Sequence, residues 1–508
     1  MIQLPEIFIQ QMRELLPSDE FLAFCQTYNE PTVRGLRLNR LKAVPPSLLC
    51  ARQNSTGDCE SPVEKFVNLP AVSWCVDGRV YPEWERPAKS IFHHAGLFYI
   101  QEPSAMCPVE VLAPQPGDRV LDLCAAPGGK SAQIAGYLVD MPRSVDGSVS
   151  PRTSQPTGLR FVDDATARPA GLQGRGLLLS NDASPTRSRA LVKNLERMGV
   201  TNAVVTTELP KKLADRFPAF FDKILVDAPC SGEGMFRRDT DAVKAYTANK
   251  PEACVAMQTE ILRYAARMLA PGGRLVYSTC TFNTMENEGV IADFLENHAG
   301  FALVDINHEA LGINSGISLP QTGRIFPHLA EGEGHFIALI ERVGDHSPIS
   351  NTPLKTTTGH NPDNSKPYIP KEFVQFCKEY ITITDFPITQ IVFHGANLYL
   401  QPEPLDLRGL RVARSGWFLG ECAKGRFIPS HALAMGLRKK DVSYAVELTE
   451  ENATRYLRGE SLDANGMFET EPQGKPWIMV CYQNLPLGWA KLVQGRLKNN
   501  LPVGLVIK

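Results

Sequence analysis

The sequence predicts an α/β protein built on a doubly wound parallel sheet, with a small α+β domain before it and a β-rich region after it. From about residue 90 to 345, short apolar runs alternate with helical segments, as in parallel strands covered by helices on both faces. The first run stops at a glycine-rich turn, which is typical of a ligand-binding sheet edge. A polar, proline-rich segment then precedes a region of short strands.

Composition limits the classes of function. The chain has 508 residues, with 53 Lys and Arg against 55 Asp and Glu, so any surface for nucleic acid must be local. No apolar run approaches the roughly 18 residues of a membrane helix. The twelve cysteines form no Cys-x2–4-Cys pair and are too dilute for a disulfide scaffold. We therefore expect a cytoplasmic protein with no metal and no membrane partner.

The N-terminal stretch predicts an amphipathic helix followed by a basic strand. The helix is indicated by apolar residues at helical spacing, namely Phe8, Met12, Leu15 and Leu16. In residues 34–42 apolar residues nearly alternate with polar ones. The apolar residues are Leu36, Leu38 and Leu41, and the polar ones between them are Arg37, Asn39 and Arg40. A solvated edge strand and an RNA-facing strand both fit this pattern.

The central and C-terminal elements follow from periodicity and breaker residues. Strands are predicted at 120–124, 176–180, 203–206, 223–226 and 274–277, with helices ending at Tyr137 and covering 184–198 and 253–269. A stretch rich in Ser, Pro, Gly, Thr and Arg predicts a surface insertion at 141–176. Strands are also predicted at 390–393 and 477–481.

Residues 472–508 contain five Lys or Arg and no acid, with Tyr482 and Trp489 interleaved. Nucleic-acid binding and a packed surface with solvated lysines explain this composition equally well.

The first two strands of the sheet end in ligand-binding patterns. The turn after the first contains Gly128, Gly129 and Lys130, without the spacing of a Gly-x-Gly-x-x-Gly or Walker loop. Free N–H groups at the following helix would suit a nucleoside with a charged tail, and a tight turn without ligand is the alternative. Asp182 ends the second strand, where an acid binds ribose hydroxyls, although with Ser184 it also suits a helix start.

Two cysteines follow the fourth and fifth strands. Asp227-Ala-Pro-Cys230 ends one strand and Ser278-Thr-Cys280 ends the next, so we expect both thiols over one edge of the sheet. A single cysteine is more often a core residue than a catalytic one. A pair beside Asp227 favours catalysis, with a thiolate stabilised by Lys130 or by the helix after Cys280.

These motifs carry a resemblance. Leu123-Cys-Ala-Ala-Pro-Gly-Gly-Lys130, Asp227-Ala-Pro-Cys-Ser-Gly-Glu-Gly234 and Ser278-Thr-Cys-Thr-Phe282 resemble, in this order, the Sun/Nop family of S-adenosylmethionine-dependent RNA cytosine-5 methyltransferases. Stretches at 95–106 and 184–200 support it, and the layout is similar to the bacterial RsmF-type enzymes that act on small-subunit ribosomal RNA. The resemblance implies an N-terminal RNA-binding domain at 1–88, a Rossmann-like methyltransferase domain at 89–343, a linker at 344–367 and an RNA-binding region at 368–508, PUA-like toward its end.

The resemblance also implies roles for the site residues. Cys280 resembles the nucleophile that adds to carbon 6 of cytosine, and Cys230 the cysteine that helps to release the product. Asp227 would bind the cytosine edge, and Lys130 would assist electrostatically. The predicted cofactor-binding residues are Cys124, Ala125, Ala126, Pro127, Gly128, Gly129, Lys130, Asp182 and Asp227. The family often has an acid after the third strand near adenine, for which Glu208 is an uncertain match.

We therefore expect an enzyme that methylates carbon 5 of a cytosine in ribosomal RNA, free or within the small subunit, as a monomer. Transfer RNA is the alternative substrate. A catalytically silent assembly factor is a second class of function, disfavoured because both cysteines, Asp227 and Lys130 are all present. A nicotinamide-dependent oxidoreductase is disfavoured by the absence of the Gly-x-Gly-x-x-Gly pattern.

Overall fold

The computed structural model describes residues 4–42, 64–139, 176–248, 251–344, 369–382, 390–468, 472, 474 and 476–507. The predicted insertion lies outside these residues except for Gly176, and the predicted linker except for Gly344. Within the described segments, no helix has both the length and the apolar character to cross a membrane.

The N-terminal unit combines helices with a four-stranded antiparallel sheet. Its helices are α1 (Glu6–Leu15), α2 (Ser18–Gln26), α3 (Glu64–Val67) and α4 (Ile91–His94), and its strands, in the order β2-β3-β1-β4, are β1 (Gly35–Leu38), β2 (Ala71–Val72), β3 (Cys75–Val80) and β4 (Phe98–Ile100). The predicted helix is present as α1, which buries Phe8 and Met12. Since β4 completes the sheet, this unit extends past the boundary predicted at residue 88.

The basic strand at 34–42 is an interior strand, so both predictions for it, solvated edge and RNA-facing, are wrong. β1 pairs with β3 on one side and with β4 on the other. Arg37 is only 3% exposed and donates to the carbonyl oxygen of Gly129 at 2.9 Å. Lys42 is buried, and Arg40 pairs with Asp77. These cations are tolerated inside because each finds an acceptor within the protein.

The central unit is a mostly parallel sheet. Its parallel strands run in the order β9-β8-β5-β6-β7 and are β5 (Arg119–Asp122), β6 (Leu177–Asn181), β7 (Ala203–Thr206), β8 (Phe221–Asp227) and β9 (Leu269–Thr279). Antiparallel strands extend it beyond β9: β10 (Phe301–Val304), β11 (Asn314–Ser315), β12 (Gly323–Ile325) and β13 (His335–Arg342), with β13 next to β9. The strand order reverses between β5 and β8, which is where such sheets bind ligands.

Helices cover both faces of this sheet, which confirms the doubly wound arrangement. They are α5 (Cys107–Leu112), α6 (Gly129–Tyr137), α7 (Pro185–Arg197), α8 (Pro210–Arg216), α9 (Thr240–Ala248), α10 (Pro251–Met268), α11 (Val290–Asn297) and α12 (His308–Leu311). One apolar cluster packs α5, α6 and α7 against the sheet, and a second packs α8, α10 and α11 against it. The strands read as continuous apolar runs because both of their faces are buried.

The C-terminal region contains two further sheets. The helices are α13 (Lys371–Tyr380), α14 (His431–Gly436) and α15 (Glu450–Leu457). One sheet has the order β14-β15-β17-β18, from β14 (Ile391–His394), β15 (Asn397–Leu400), β17 (Trp417–Ala423) and β18 (Arg426–Pro429). The other has the order β19-β21-β22-β23-β20, from β19 (Ala445–Glu447), β20 (Leu462–Asp463), β21 (Trp477–Tyr482), β22 (Leu485–Val493) and β23 (Arg496–Asn499). The remaining strand, β16 (Val412–Arg414), pairs with β7 and joins the central sheet.

The aromatic residues of 472–508 belong to the core. Tyr482 is 5% exposed and Trp489 is 1% exposed, and the Trp489 indole donates to the carbonyl oxygen of Ser430 at 2.9 Å. Lys491 lies over the Trp477 ring, with its Nζ 4.6 Å from the ring centroid. For these rings the packed alternative is therefore correct, and neither Tyr482 nor Trp489 is available to stack on a base.

Candidate active site

The crevice between β5 and β8 holds an ion pair. Lys130, in the first turn of α6, lies 2.8 Å through Nζ from Oδ2 of Asp227, the last residue of β8. Ser278 of β9 donates its hydroxyl to Asp227 Oδ1 at 2.8 Å. Nε2 of His335, the first residue of β13, lies 3.5 Å from the same oxygen. Burial would raise the pKa of Asp227, but Lys130 and His335 outweigh it and hold that pKa well below the ordinary value. The site therefore contains an ionised carboxylate.

The two cysteines predicted over one sheet edge are in contact. Cys230 Sγ and Cys280 Sγ are 3.5 Å apart, because β8 and β9 are neighbouring parallel strands and each cysteine lies just beyond its strand. The contact with Cys280, followed by burial, raises the pKa of the Cys230 thiol well above its ordinary value. Cys230 thus keeps its proton and can donate it toward a Cys280 thiolate.

The charges around the pair distinguish its two members. Glu286 adds to the rise in the pKa of Cys230, and its carboxylate accepts from the backbone N–H of Ser231, the next residue, at 2.9 Å. Lys130 lies within electrostatic range of Cys280. Burial lowers the pKa of Lys130, but Asp227 and, more weakly, Cys280 raise it, and the net effect is an increase. A carboxylate therefore lies near Cys230 and an ammonium lies near Cys280.

The loops that carry the cysteines are bonded to each other. The Gly234 N–H donates to the carbonyl oxygen of Cys280 at 2.8 Å, and Glu233 Oε2 accepts from the Phe282 N–H at 2.9 Å. A Cβ on Gly234 would lie 3.0 Å from the Cys280 carbonyl oxygen, so glycine permits this close approach. These contacts fix the position of one sulfur relative to the other.

Gln11 of α1 joins both loops, a role that sequence reasoning missed. Its side-chain amide donates to the Glu233 carboxylate at 3.0 Å and accepts from Asn283 at 3.0 Å. Phe8 and Phe24 of the N-terminal helices pack edge-on against Phe236 and Phe282, with centroid separations of 5.1 and 5.3 Å. The N-terminal helices therefore support the cysteine loops, which a helical periodicity alone could not indicate.

The glycine-rich turn between β5 and α6 is held by the backbone of β6 and by a side chain of α7. Ala125 N–H donates to the Asn181 carbonyl oxygen at 2.8 Å, and Arg187 Nη2 donates to the Ala126 carbonyl oxygen at 2.8 Å. Gly128 has φ +108°, a conformation that favours glycine, and a Cβ there would meet Leu191 at 2.9 Å. Burial raises the pKa of Cys124 strongly, so this third cysteine stays a thiol. The first N–H groups of α6 have no partner within the helix and face outward from its start.

The acids after β6 and β7 are both engaged by the protein. Asp182 accepts from the N–H groups of Ala126 at 3.3 Å and Ser184 at 2.9 Å, so it braces the turn and the start of α7. Glu208 binds Lys212 at 2.8 Å and the backbone N–H of Arg411 at 2.6 Å. Burial opposes ionisation of Glu208, but these cationic partners lower its pKa. Arg411, which precedes β16, thus ties the C-terminal region to the end of β7.

The fold is a Rossmann-like methyltransferase sheet with accessory domains on both sides, and comparison with known proteins is consistent with this class. Family models match along the chain: the N-terminal domain of 16S rRNA methyltransferase RsmF at residues 4–103, 16S rRNA methyltransferase RsmB/F at 165–341, the RsmF rRNA methyltransferase first C-terminal domain at 375–437 and the methyltransferase RsmF PUA domain at 443–507.

Full-length relatives give the same result. The chain is 31% identical to ribosomal RNA small subunit methyltransferase F of Erwinia tasmaniensis, covering 99% of this chain and 96% of the relative, and 30% identical to that of Vibrio parahaemolyticus, covering 99% and 98%. The crystal structure of PH0851 superposes with a TM-score of 0.52 and 25% identity over 66% of each chain. The chain belongs to the RsmB/F family of S-adenosylmethionine-dependent 16S rRNA methyltransferases. The predicted resemblance, fold class and cofactor are thereby confirmed.

Proposed function

We propose that this protein transfers a methyl group from S-adenosylmethionine to carbon 5 of a cytosine in 16S ribosomal RNA, through a covalent bond between Cys280 and carbon 6. The observation that carries the proposal is the 3.5 Å contact between Cys230 and Cys280 beside the Asp227–Lys130 pair. Sheet edges seldom combine two thiols with an ionised carboxylate unless the thiols react.

Cys280 supplies the activation that the base needs. Carbon 5 of cytosine is a weak nucleophile, and addition of a thiolate to carbon 6 converts the ring into an enamine-like nucleophile at carbon 5. Lys130 and the protonated Cys230 stabilise the Cys280 thiolate before the attack. The Asp227 carboxylate accepts a hydrogen bond from the cytosine edge and orients the ring for attack, and Lys130 assists electrostatically as negative charge develops on the ring.

Cys230 acts at product release. Loss of the carbon 5 proton to water re-forms the C5=C6 bond and expels Cys280 Sγ from carbon 6. The Cys230 thiol, 3.5 Å from that sulfur, donates a hydrogen bond to it as the C–S bond breaks. Without this donor, we expect the covalent protein–RNA adduct to persist.

The residues around the crevice fit the cofactor. Backbone from Cys124 to Lys130, with the free N–H groups at the start of α6, would hold its methionine end, and Asp182 its ribose. Oδ1 of Asp182 keeps a lone pair after its bond to the Ser184 N–H, whereas Oδ2 faces both the Ala126 N–H and Arg187. When bound, the cofactor supplies a methyl group activated by its sulfonium charge. Asp227, with Oδ2 facing Lys130, is the residue that both the cofactor and the base sites share.

The flanking units bind the RNA in this proposal. The N-terminal unit and the C-terminal PUA-like region lie on either side of the methyltransferase domain, and the target base must leave its stack to reach Cys280. Action as a monomer in the cytoplasm stays a prediction. Transfer RNA as substrate and a silent assembly role are the outcomes against which the proposal is tested.

The experiment is transfer of labelled methyl from S-adenosylmethionine to small ribosomal subunits, 16S rRNA and tRNA, followed by bisulfite mapping. We expect label at a cytosine of 16S rRNA with the wild type, none with Cys280→Ala, and a denaturant-resistant RNA adduct with Cys230→Ala. Cys422→Ala, at a cysteine of the C-terminal sheet, is the matched control and should behave as the wild type. Label in tRNA alone would overturn the substrate, and unchanged turnover of Cys280→Ala would overturn the mechanism.

A further inference from the structure

His335 is a buried polar residue at the active site that the mechanism above leaves without a role. It begins β13, which runs antiparallel to β9, and the pairing of Phe336 with Thr279 places His335 beside Cys280 on the neighbouring strand. Its side chain is 4% exposed, and its Nε2 has no hydrogen-bond partner of normal geometry among the described residues.

The two ring nitrogens of His335 face a carboxylate and a hydroxyl group. Nε2 lies 3.5 Å from Asp227 Oδ1, and Nδ1 lies 3.4 Å from the Ser104 hydroxyl. Ser104 in turn contacts the Glu102 carboxylate through its hydroxyl. Glu102 also accepts from the backbone N–H groups of Ser104 and Glu333, at 3.0 and 2.9 Å. A chain of polar contacts therefore runs from Glu102 through Ser104 and His335 to Asp227.

The donors and acceptors in this chain give the direction of a hydrogen bond between His335 and Asp227. A carboxylate only accepts, so the single hydroxyl proton of Ser104 is directed to Glu102. Asp227 is ionised and also only accepts, so Nε2 of His335 can bond to it only as a donor. A hydrogen bond at this contact therefore runs from the Nε2–H of His335 to Asp227 Oδ1.

The contact with His335 leaves one position on Asp227 for the substrate. Oδ1 has two lone pairs, which face the Ser278 hydroxyl and His335. Oδ2 bonds to Lys130 and keeps its second lone pair. That lone pair can accept a hydrogen bond from the amino edge of cytosine. If the carboxylate rotated, Oδ1, whose lone pairs are already engaged, would take the place of Oδ2.

We propose that His335 is a positioning residue for methyl transfer, which through its Nε2–H fixes the Asp227 carboxylate so that Oδ2 receives the cytosine edge. The inference rests on the proposed function, since it takes Asp227 as the group that binds the base. The 3.5 Å separation is long for a hydrogen bond, as such contacts often are before substrate is bound.

The test compares His335→Phe and His335→Gln with His298→Gln, a histidine at the end of α11 away from the site. His335→Phe should lower kcat about 10- to 100-fold, the factor that one hydrogen bond to a charged group supplies. The KM values for cofactor and RNA should change little. His335→Gln, which retains one N–H donor, should recover part of kcat. An equal loss of kcat in both variants, or a matching rise in the KM values, would show that His335 has a purely structural role.

A second measurement separates this inference from the proposed function. In protein labelled with ¹⁵N-histidine, Nε2 of His335 should give the signal of a protonated, hydrogen-bonded nitrogen, and Asp227→Asn should shift it. An Nε2 without a proton in the wild type overturns the inference whether or not methyl transfer occurs. A hydrogen-bonded Nε2–H in a protein that labels no RNA would instead overturn the proposed function and leave the Asp227–His335 contact standing.

Discussion

The ion pair between Arg324 and Glu288 gives a prediction that can be worked out in magnitude. Arg324 lies on β12 and Glu288 follows the Cys280 loop, with side chains 1% and 2% exposed. Two N–H groups of Arg324 bind the carboxylate at 2.8 and 2.6 Å, and a third donates to the carbonyl oxygen of Phe282 at 2.9 Å. Arg324→Met would leave Glu288 charged, buried and unpaired, a situation that typically costs about 3–5 kcal/mol.

The expected loss is large enough to measure by thermal unfolding. For a unit of 150–250 residues, each 1 kcal/mol shifts Tm by about 2–4 °C, so Arg324→Met should lower Tm by about 6–20 °C. Adding Glu288→Gln removes the uncompensated charge and keeps an amide oxygen for the Ile317 N–H, and it should restore at least half of the loss. Arg274→Met, in the exposed pair with Glu341, should cost less than about 1 kcal/mol. If Arg324→Met is no worse than Arg274→Met, or the double variant no better than the single one, the reasoning is refuted.

Three further predictions test other contacts. Gln11→Leu removes the hydrogen bonds that link the two cysteine loops. It should lower kcat for labelled methyl transfer about tenfold, which corresponds to a loss of about 1.4 kcal/mol of transition-state stabilisation. Gln10→Leu, on the exposed side of α1, should leave kcat unchanged. Gly334→Ala places a Cβ 2.4 Å from the Phe282 ring and should destabilise the protein by about 1–3 kcal/mol more than Gly409→Ala, which has positive φ and open space, in urea unfolding. Burial raises the pKa of Asp122 from 3.8 to about 7. Between these values the folded protein binds a proton that the unfolded chain releases, so the free energy of unfolding falls as the pH rises. Asp122→Asn should therefore stabilise the protein above pH 7, by at most about 4 kcal/mol, and have little effect near pH 4 in unfolding monitored across pH.

The sequence predicted those features that depend on local pattern. Continuous apolar runs identified β5 to β9 because strands buried on both faces leave no polar alternation. The contact of Cys230 with Cys280 followed from their places after neighbouring strands. The roles assigned to these residues stay predictions until they are tested by substitution.

Other features depend on partners that are distant in sequence. Arg37 was expected to face solvent or RNA, but it is buried because β4 covers its strand and Gly129 offers an acceptor. From the sequence, Tyr482 and Trp489 were compatible with base stacking, but in the structure both rings are buried in the two C-terminal apolar clusters. His335 gave no signal, since its approach to Asp227 depends on β13 returning antiparallel along β9. Periodicity carries no information on such contacts.

The accessory units hold the active site as well as flanking it. Gln11 bonds to both cysteine loops, Arg37 bonds to the glycine-rich turn, and Arg411 bonds to Glu208 at the end of β7. Each of these contacts reaches a different loop of the crevice from outside residues 89–343. A methyltransferase domain cut out at those boundaries would lose β1 from beside β4 and would expose the aromatic rings that α1 and α2 cover. RNA contacts and the geometry of the two thiols are therefore coupled through the same elements, so movement of the N-terminal helices on binding RNA would move the cysteine loops with them.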